Sequence, residues 1–174
     1  MRYMTAADAI AEYLTEKGCT HAFGLVGGAN STLFHAVAQR MQMVCVEHEQ
    51  AAAMAAAYYY RVSRKLAPVL VTAGAGCMNA TTGVMSAHVD GIPLLVISGN
   101  EKSMYFKTTQ TRGIGFQGFI PHKVTASFTK ATISADDPLG AVLAAKGLYE
   151  LALAPRHGAC WLDVPQDIAA MEVP

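Results

Sequence analysis

Charge is scarce in this sequence. Lysine, arginine, aspartate and glutamate make up 15% of its 174 residues, against about 25% in an average soluble domain. Thirteen basic residues cancel thirteen acidic ones, which leaves no electrostatic case for nucleic acid or an anionic membrane as partner. Cysteine is sparse as well. Cys19, Cys45, Cys77 and Cys160 stand far apart and form no C-x-x-C pair, so neither a zinc site nor a thioredoxin-like redox site is indicated. Cys45 and Cys160 lie in apolar runs and are expected as buried thiols of a reducing compartment. No stretch reaches the roughly 20 consecutive apolar residues of a membrane span. Residues 1–8 lack the apolar core of a secretion signal. A cytoplasmic protein is expected.

The common nucleotide and nucleophile fingerprints are missing too. There is no G-x-x-x-x-G-K-[ST] and no G-x-S-x-G, and Gly24-Leu25-Val26-Gly27-Gly28 does not make a working G-x-G-x-x-G. The six histidines show no metal spacing, so no metal site is expected in the chain. His48 and His88, near element ends, read as structural histidines. Tyr58, Tyr59 and Tyr60 are consecutive on one helix and must point three ways, which suits core and interface packing better than a stack on a cofactor.

What the chain does have is apolar residues, 52% of the total, arranged in alternating helix and strand signals. With so little charge to keep neighbours apart, it is expected to bury surface against other chains. Thr5 followed by Asp8 marks a helix start; Ile10, Tyr13 and Leu14 supply its apolar stripe and Gly18 its stop. Residues 21–25 read as a strand and Gly27-Gly28 as a tight turn. Asn30 or Ser31 then caps a helix to about Gln39. A strand at 43–46 leads into a helix from near Glu49 to about Ser63. The strand at 68–72 ends in Ala73-Gly74-Ala75-Gly76, and a helix follows over 78–89. After a strand at 93–98, residues 100–117 read as a long functional loop. A strand at 129–133, a helix at 138–153 and a strand at 159–164 complete the series. Continuous apolar strands separated by helices indicate a parallel sheet covered on both faces. The reading is therefore one α/β domain over residues 1–174, a three-layer α/β/α sandwich with a mainly parallel central sheet.

In such folds ligands gather beyond the carboxyl ends of the strands. Gly27-Gly28, Glu49, Gly74–Gly76 and Gly99-Asn100 all fall there. Glu49 is the lone acid of the run Gln50-Ala51-Ala52-Ala53-Met54-Ala55-Ala56 that it opens. One reading is a helix-start residue, since negative charge suits a helix N-terminus. The other is proton transfer, because poor solvation among alanines favours the protonated form of a carboxyl. Each glycine turn is open to both a plain tight turn and an anion cradle at a helix start.

The order of these motifs carries a further signal. Phe23-Gly24-Leu25-Val26-Gly27-Gly28-Ala29-Asn30, His48-Glu49-Gln50-Ala51-Ala52-Ala53 and the run Thr72 to Val84 follow one another at suitable spacing. Ala87 to Gly99 and Gly158 to Asp167 close the set. Together they resemble the N-terminal pyrimidine-binding domain of thiamine-diphosphate enzymes, most nearly the acetolactate synthase and 2-oxo acid decarboxylase group, over nearly the whole chain.

The resemblance implies that Glu49 hydrogen-bonds N1' of the cofactor's aminopyrimidine and so promotes the imino form that deprotonates the thiazolium. It implies that Leu25, Val26, Gly27 and Gly28 wall the cofactor or substrate and that Thr72, Ala75, Gly76 and Asn79 lie beside the pyrimidine. Gln117 would face the reacting centre, though it reads equally as a solvated loop glutamine. There are departures. Val26 and Ala75 stand where prolines are common, Tyr58 where glycine is usual, and Gly118 where synthases tend to have an acid. The His-His pair of pyruvate decarboxylases is missing from 102–115. No GDG motif is present to hold Mg2+ and the diphosphate, and the chain ends where such an enzyme would enter its central domain. The implied protein is a pyrimidine-domain subunit of a split enzyme. Its thiamine diphosphate is shared with a diphosphate-binding subunit that holds Mg2+, and a 2-oxo acid is the substrate. A non-catalytic assembly module and a truncated domain of a single-chain enzyme are the alternatives.

Overall fold

Along each central strand both phases of the alternation are apolar, and the structure shows where each phase goes. The protein is described by a computed structural model over residues 3–107 and 113–173. Chain order runs β1 (Met4–Thr5), α1 (Ala6–Glu16), β2 (His21–Gly24), α2 (Ser31–Ala38), β3 (Gln42–Cys45), α3 (Glu49–Ser63), β4 (Val69–Val71) and α4 (Ala75–Val89). It continues with β5 (Leu94–Asn100), α5 (Ser103–Phe106), α6 (His122–Thr125), β6 (Ala131–Ser134), α7 (Pro138–Leu153), β7 (Ala159–Pro165), α8 (Gln166–Ala170) and β8 (Glu172–Val173). Six strands form one sheet in the order β3-β2-β4-β5-β7-β6, with every neighbouring pair parallel.

Leu70, Leu95, Ile97, Cys160 and Leu162 point to one face, where they pack with Ile10 and Leu14 of α1, Leu33 and Val37 of α2 and Leu148 of α7. Val69, Val71, Leu94, Val96 and Trp161 point to the other, against Ala52, Ala53 and Ala56 of α3 and Ala80, Val84 and Ala87 of α4. That is the α/β/α layering expected from the apolar strands. The second face is assembled from small residues. A Cβ on Gly83 would stand 2.7 Å from the Cβ of Ala53, so the two helices approach as closely as backbones permit.

Several local expectations are revised. Cys45 is exposed rather than buried, because β3 is an edge strand of the sheet. Asn30 does not cap α2 through its side chain. α4 starts at Ala75, three residues before the predicted position, because Gly74 at φ 68° turns the chain directly into the helix. The terminal hairpin-like pair β1–β8, antiparallel, and the short α8 were not anticipated. The expectations for α3 and α7, and for Thr5 as the cap of α1, agree with the structure; the Thr5 hydroxyl accepts from the Asp8 amide at 3.1 Å. Among the described residues no helix is long and apolar enough to cross a membrane.

Polar groups buried within the sheet form one chain of hydrogen bonds. Trp161 Nε1 donates to Ser98 Oγ (2.9 Å), which donates to Asp163 Oδ1 (2.6 Å), while Asn100 Nδ2 donates to Asp163 Oδ2 (2.8 Å). Asp163 is wholly buried, and that burial lifts its carboxyl to about 6 against the downward pull of Ser98 and Asn100. A carboxyl whose pKa is higher folded than unfolded adds stability that is complete below the unfolded value and is lost as pH rises through the folded one. For Asp163 the window runs from 3.8 to about 6. Asp163→Asn removes this dependence. In urea denaturation, the wild-type chain is expected to lose about 2–3 kcal/mol more than the variant between about pH 4 and about pH 7.

Candidate functional site

In open α/β sheets the crevice forms where neighbouring connections leave toward opposite faces. Here that point lies between β2 and β4. β2 continues into α2 on one face and β4 into α4 on the other. The two connections touch, for a Cβ on Gly27 would fall 2.5 Å from Thr72 Oγ1. Asn30, fully buried, shapes the first connection by accepting from the Gly27 amide (2.7 Å) and donating to the Leu25 carbonyl (3.0 Å). Cys77 steadies the second by donating its thiol to the Thr72 carbonyl (2.9 Å). Burial pushes that thiol well above its ordinary range, so it stays protonated and able to donate.

Glu49 enters from β3. It is the first residue of α3, and the cap is its neighbour His48, whose Nδ1 accepts from the Gln50 amide (3.2 Å). The Glu49 carboxylate does not serve its own helix. It turns inward, 5% exposed, and its Oε2 accepts from Asn79 Nδ2 on α4 at 2.9 Å. Oε1 lies over Gly76, where a Cβ would come within 2.9 Å of it and within 2.8 Å of Thr72 Cγ2. Among the described residues nothing donates to Oε1. The helix-start reading of Glu49 thus accounts for its position but not for its side chain.

Of the residues singled out in the sequence, the structure gathers Gly27, Glu49, Thr72, Gly76 and Asn79 into one contiguous group. Leu25, Val26 and Gly28 share the β2–α2 connection with Gly27. Val26 and Gly28 face solvent, and a Cβ on Gly28 would meet nothing within 4 Å. Ala75 is exposed at the start of α4. Gln117 is exposed, but its backbone carbonyl rests on the turn before α4, 2.7 Å from where a Cβ of Gly74 would be. Sequence reasoning missed Asn30 as the clamp of the glycine turn. Its position three residues after Gly27 suits either role, and only the loop path separates them. His88 lies near the far end of α4, about 13 Å along the helix from Asn79, outside this group.

The arrangement fits the end of a ligand that presents a ring nitrogen to Glu49. It supplies a buried carboxylate with one oxygen held by Asn79 and the other lying over Gly76. Among the described residues no group of three or more histidine, cysteine, aspartate and glutamate side chains could hold a metal ion.

The chain is an open α/β protein with a buried carboxylate beside the point where its strand connections reverse faces. The chain belongs to the family described as thiamine pyrophosphate enzyme, N-terminal TPP binding domain, which it matches over residues 4–124. It is 32% identical over 175 residues to the acetolactate synthase large subunit of Buchnera aphidicola subsp. Acyrthosiphon pisum, covering 97% of this chain and 29% of that protein. Against the mitochondrial acetolactate synthase of Schizosaccharomyces pombe the identity is 30% over 168 residues, 95% of this chain and 24% of the other. The acetolactate synthase of Bacillus subtilis is 29% identical over 164 residues, 93% and 28% respectively. The chain spans less than a third of the length of these relatives.

Asn79→Ala is expected to strand the Glu49 carboxylate without its donor. Leaving a buried acceptor without its donor costs about 1–3 kcal/mol, to be read as a lower urea midpoint with an unchanged slope.

Proposed function

We propose that this chain is the pyrimidine-binding part of a cytoplasmic thiamine-diphosphate enzyme acting on a 2-oxo acid, by decarboxylation with or without transfer to a second carbonyl. The observation that carries the reading is the inward Glu49, gripped by Asn79 and set over Gly76, in a chain of this family. When bound, thiamine diphosphate supplies the electron sink for the carbanion left by loss of CO2.

The chain's own residues have narrower tasks. Glu49 presents Oε1 toward the ring nitrogen, and Asn79 fixes Oε2 so that the carboxyl offers that one edge. Thr72 and Gly76 lie beside it, and the exposed Ala75 and the turn Leu25, Val26, Gly27 and Gly28 would complete the cofactor's surroundings at the edge of the site. Gln117 stands at the mouth, toward the reacting end. A positioned carboxyl of this kind contributes about 10²–10⁴-fold to a proton transfer.

The Mg2+ and diphosphate sites belong to a diphosphate-binding subunit or domain outside these residues. Two exposed apolar stripes support such a partner. Met54, Tyr58 and Val62 recur every four residues on α3, and Met78, Met85 and Val89 follow one line of α4. Both helices also carry the site, so an apolar partner surface would cover its flank.

In a complex reconstituted with a diphosphate-binding subunit, Glu49→Gln is expected to lower turnover of a 2-oxo acid about 10²–10⁴-fold with the fold intact by circular dichroism. Unchanged turnover would favour a non-catalytic assembly module. Calorimetric titration of the chain alone with thiamine diphosphate and Mg2+ is expected to show little heat; tight binding would contradict the division of the site.

A further inference from the structure

The segment after β5 reads in the sequence as a polar loop, yet it encloses a buried acid. Glu101 is 8% exposed. Its Oε1 accepts from two successive amides, Phe116 at 3.2 Å and Gln117 at 3.0 Å. Ile114 and Gly118 exchange backbone hydrogen bonds of 3.3 and 2.8 Å and so close a turn around that carboxylate. Gly115 adopts φ 60°, and a Cβ there would meet Glu101 Cδ and Oε2 at 2.8 Å; one on Gly118 would meet Cγ at the same distance. The turn is moulded on this side chain.

The carboxyl-terminal side of the turn is tied to the sheet through Asn100. Its Oδ1 accepts from the Glu101 amide (2.9 Å) and its Nδ2 donates to the Phe119 carbonyl (3.0 Å) as well as to Asp163. The outer side of the turn rests, through the Gln117 carbonyl, on Gly74, two residues before the glycine that faces Glu49. Among the described residues no cation pairs with Glu101. Two successive backbone amides converge on its Oε1, the arrangement by which N–H groups cradle an oxygen acceptor.

We propose that Glu101 is a positioning residue for the reaction, holding Gln117 over the Glu49 site through the amides of residues 116 and 117. This rests on the function proposed above. Glu101 itself does not touch the reacting centre.

The test uses the complex reconstituted with a diphosphate-binding subunit and the best substrate among pyruvate, 2-oxobutanoate and 2-oxoglutarate. Glu101→Ala is expected to lower kcat/KM about tenfold, mainly by raising KM, without altering the half-saturating concentration of thiamine diphosphate. Glu101→Gln, which keeps an acceptor at the same atom, should recover most of the loss. In a Gln117→Ala background, Glu101→Ala should cost nothing further, since both changes act through one side chain. Amide exchange at Phe116 and Gln117, followed by mass spectrometry, should quicken about tenfold in Glu101→Ala and stay at the wild-type rate in Gln117→Ala. Additive losses in the double variant, an unchanged KM or unchanged exchange would each overturn the inference alone. A wild-type complex inactive on every substrate would overturn the proposed function and this inference with it.

Discussion

The approach of α3 to α4 governs everything built at the carboxyl edge of the sheet. Ala52, Ala53 and Ala56 on one helix meet Ala80, Gly83 and Ala87 on the other. Larger side chains would push the axes apart. Glu49 and Asn79 would then sit too far apart for a direct hydrogen bond of 2.9 Å. The sheet order adds to this constraint. Glu49 follows the edge strand β3, two strands from β4, and it reaches the turn after β4 because α3 packs across β2 and β4.

A second, polar scaffold lies inside the same face. Trp161, Ser98, Asp163 and Asn100 are all buried and joined in sequence by hydrogen bonds. Buried polar groups are costly unless partnered, and here the partners run from the middle of β7 to the end of β5. From Asn100 the chain of contacts reaches Glu101 and the turn around it. Core packing, a strand end and a loop beside the Glu49 site are thus mechanically continuous.

Most of the framework was legible because it depends on local patterns. The bounds of α3 and α7, the parallel sheet and the cap by Thr5 follow from apolar periodicity and short polar signals. What escaped depends on neighbours distant in sequence. Cys45 sits in an apolar run, but its exposure is set by β3 being outermost. Asn30 looks like a helix cap until the path of Leu25 to Gly27 is known. Glu101 opens a polar stretch and gives no hint that Gly115 and Gly118 will fold over it. At the site, Glu49, Thr72, Gly76 and Asn79 were legible through the order of motifs rather than through any one of them. The contact between Glu49 and Asn79, 30 residues apart, was not.

The alanine and glycine content of α3 and α4 also bears on how this surface can change over generations. An alanine has no side-chain rotamers to freeze, so the helices dock without the entropic penalty that longer residues would bring. The converse is a narrow tolerance. Along the line from Ala53 to Gly83 there is no space for drift toward valine, leucine or methionine, although elsewhere in a core such exchanges are often absorbed. Variation in descendants of this protein should therefore collect in the surrounding loops and outer helix faces, while the alanine–glycine seam stays nearly fixed.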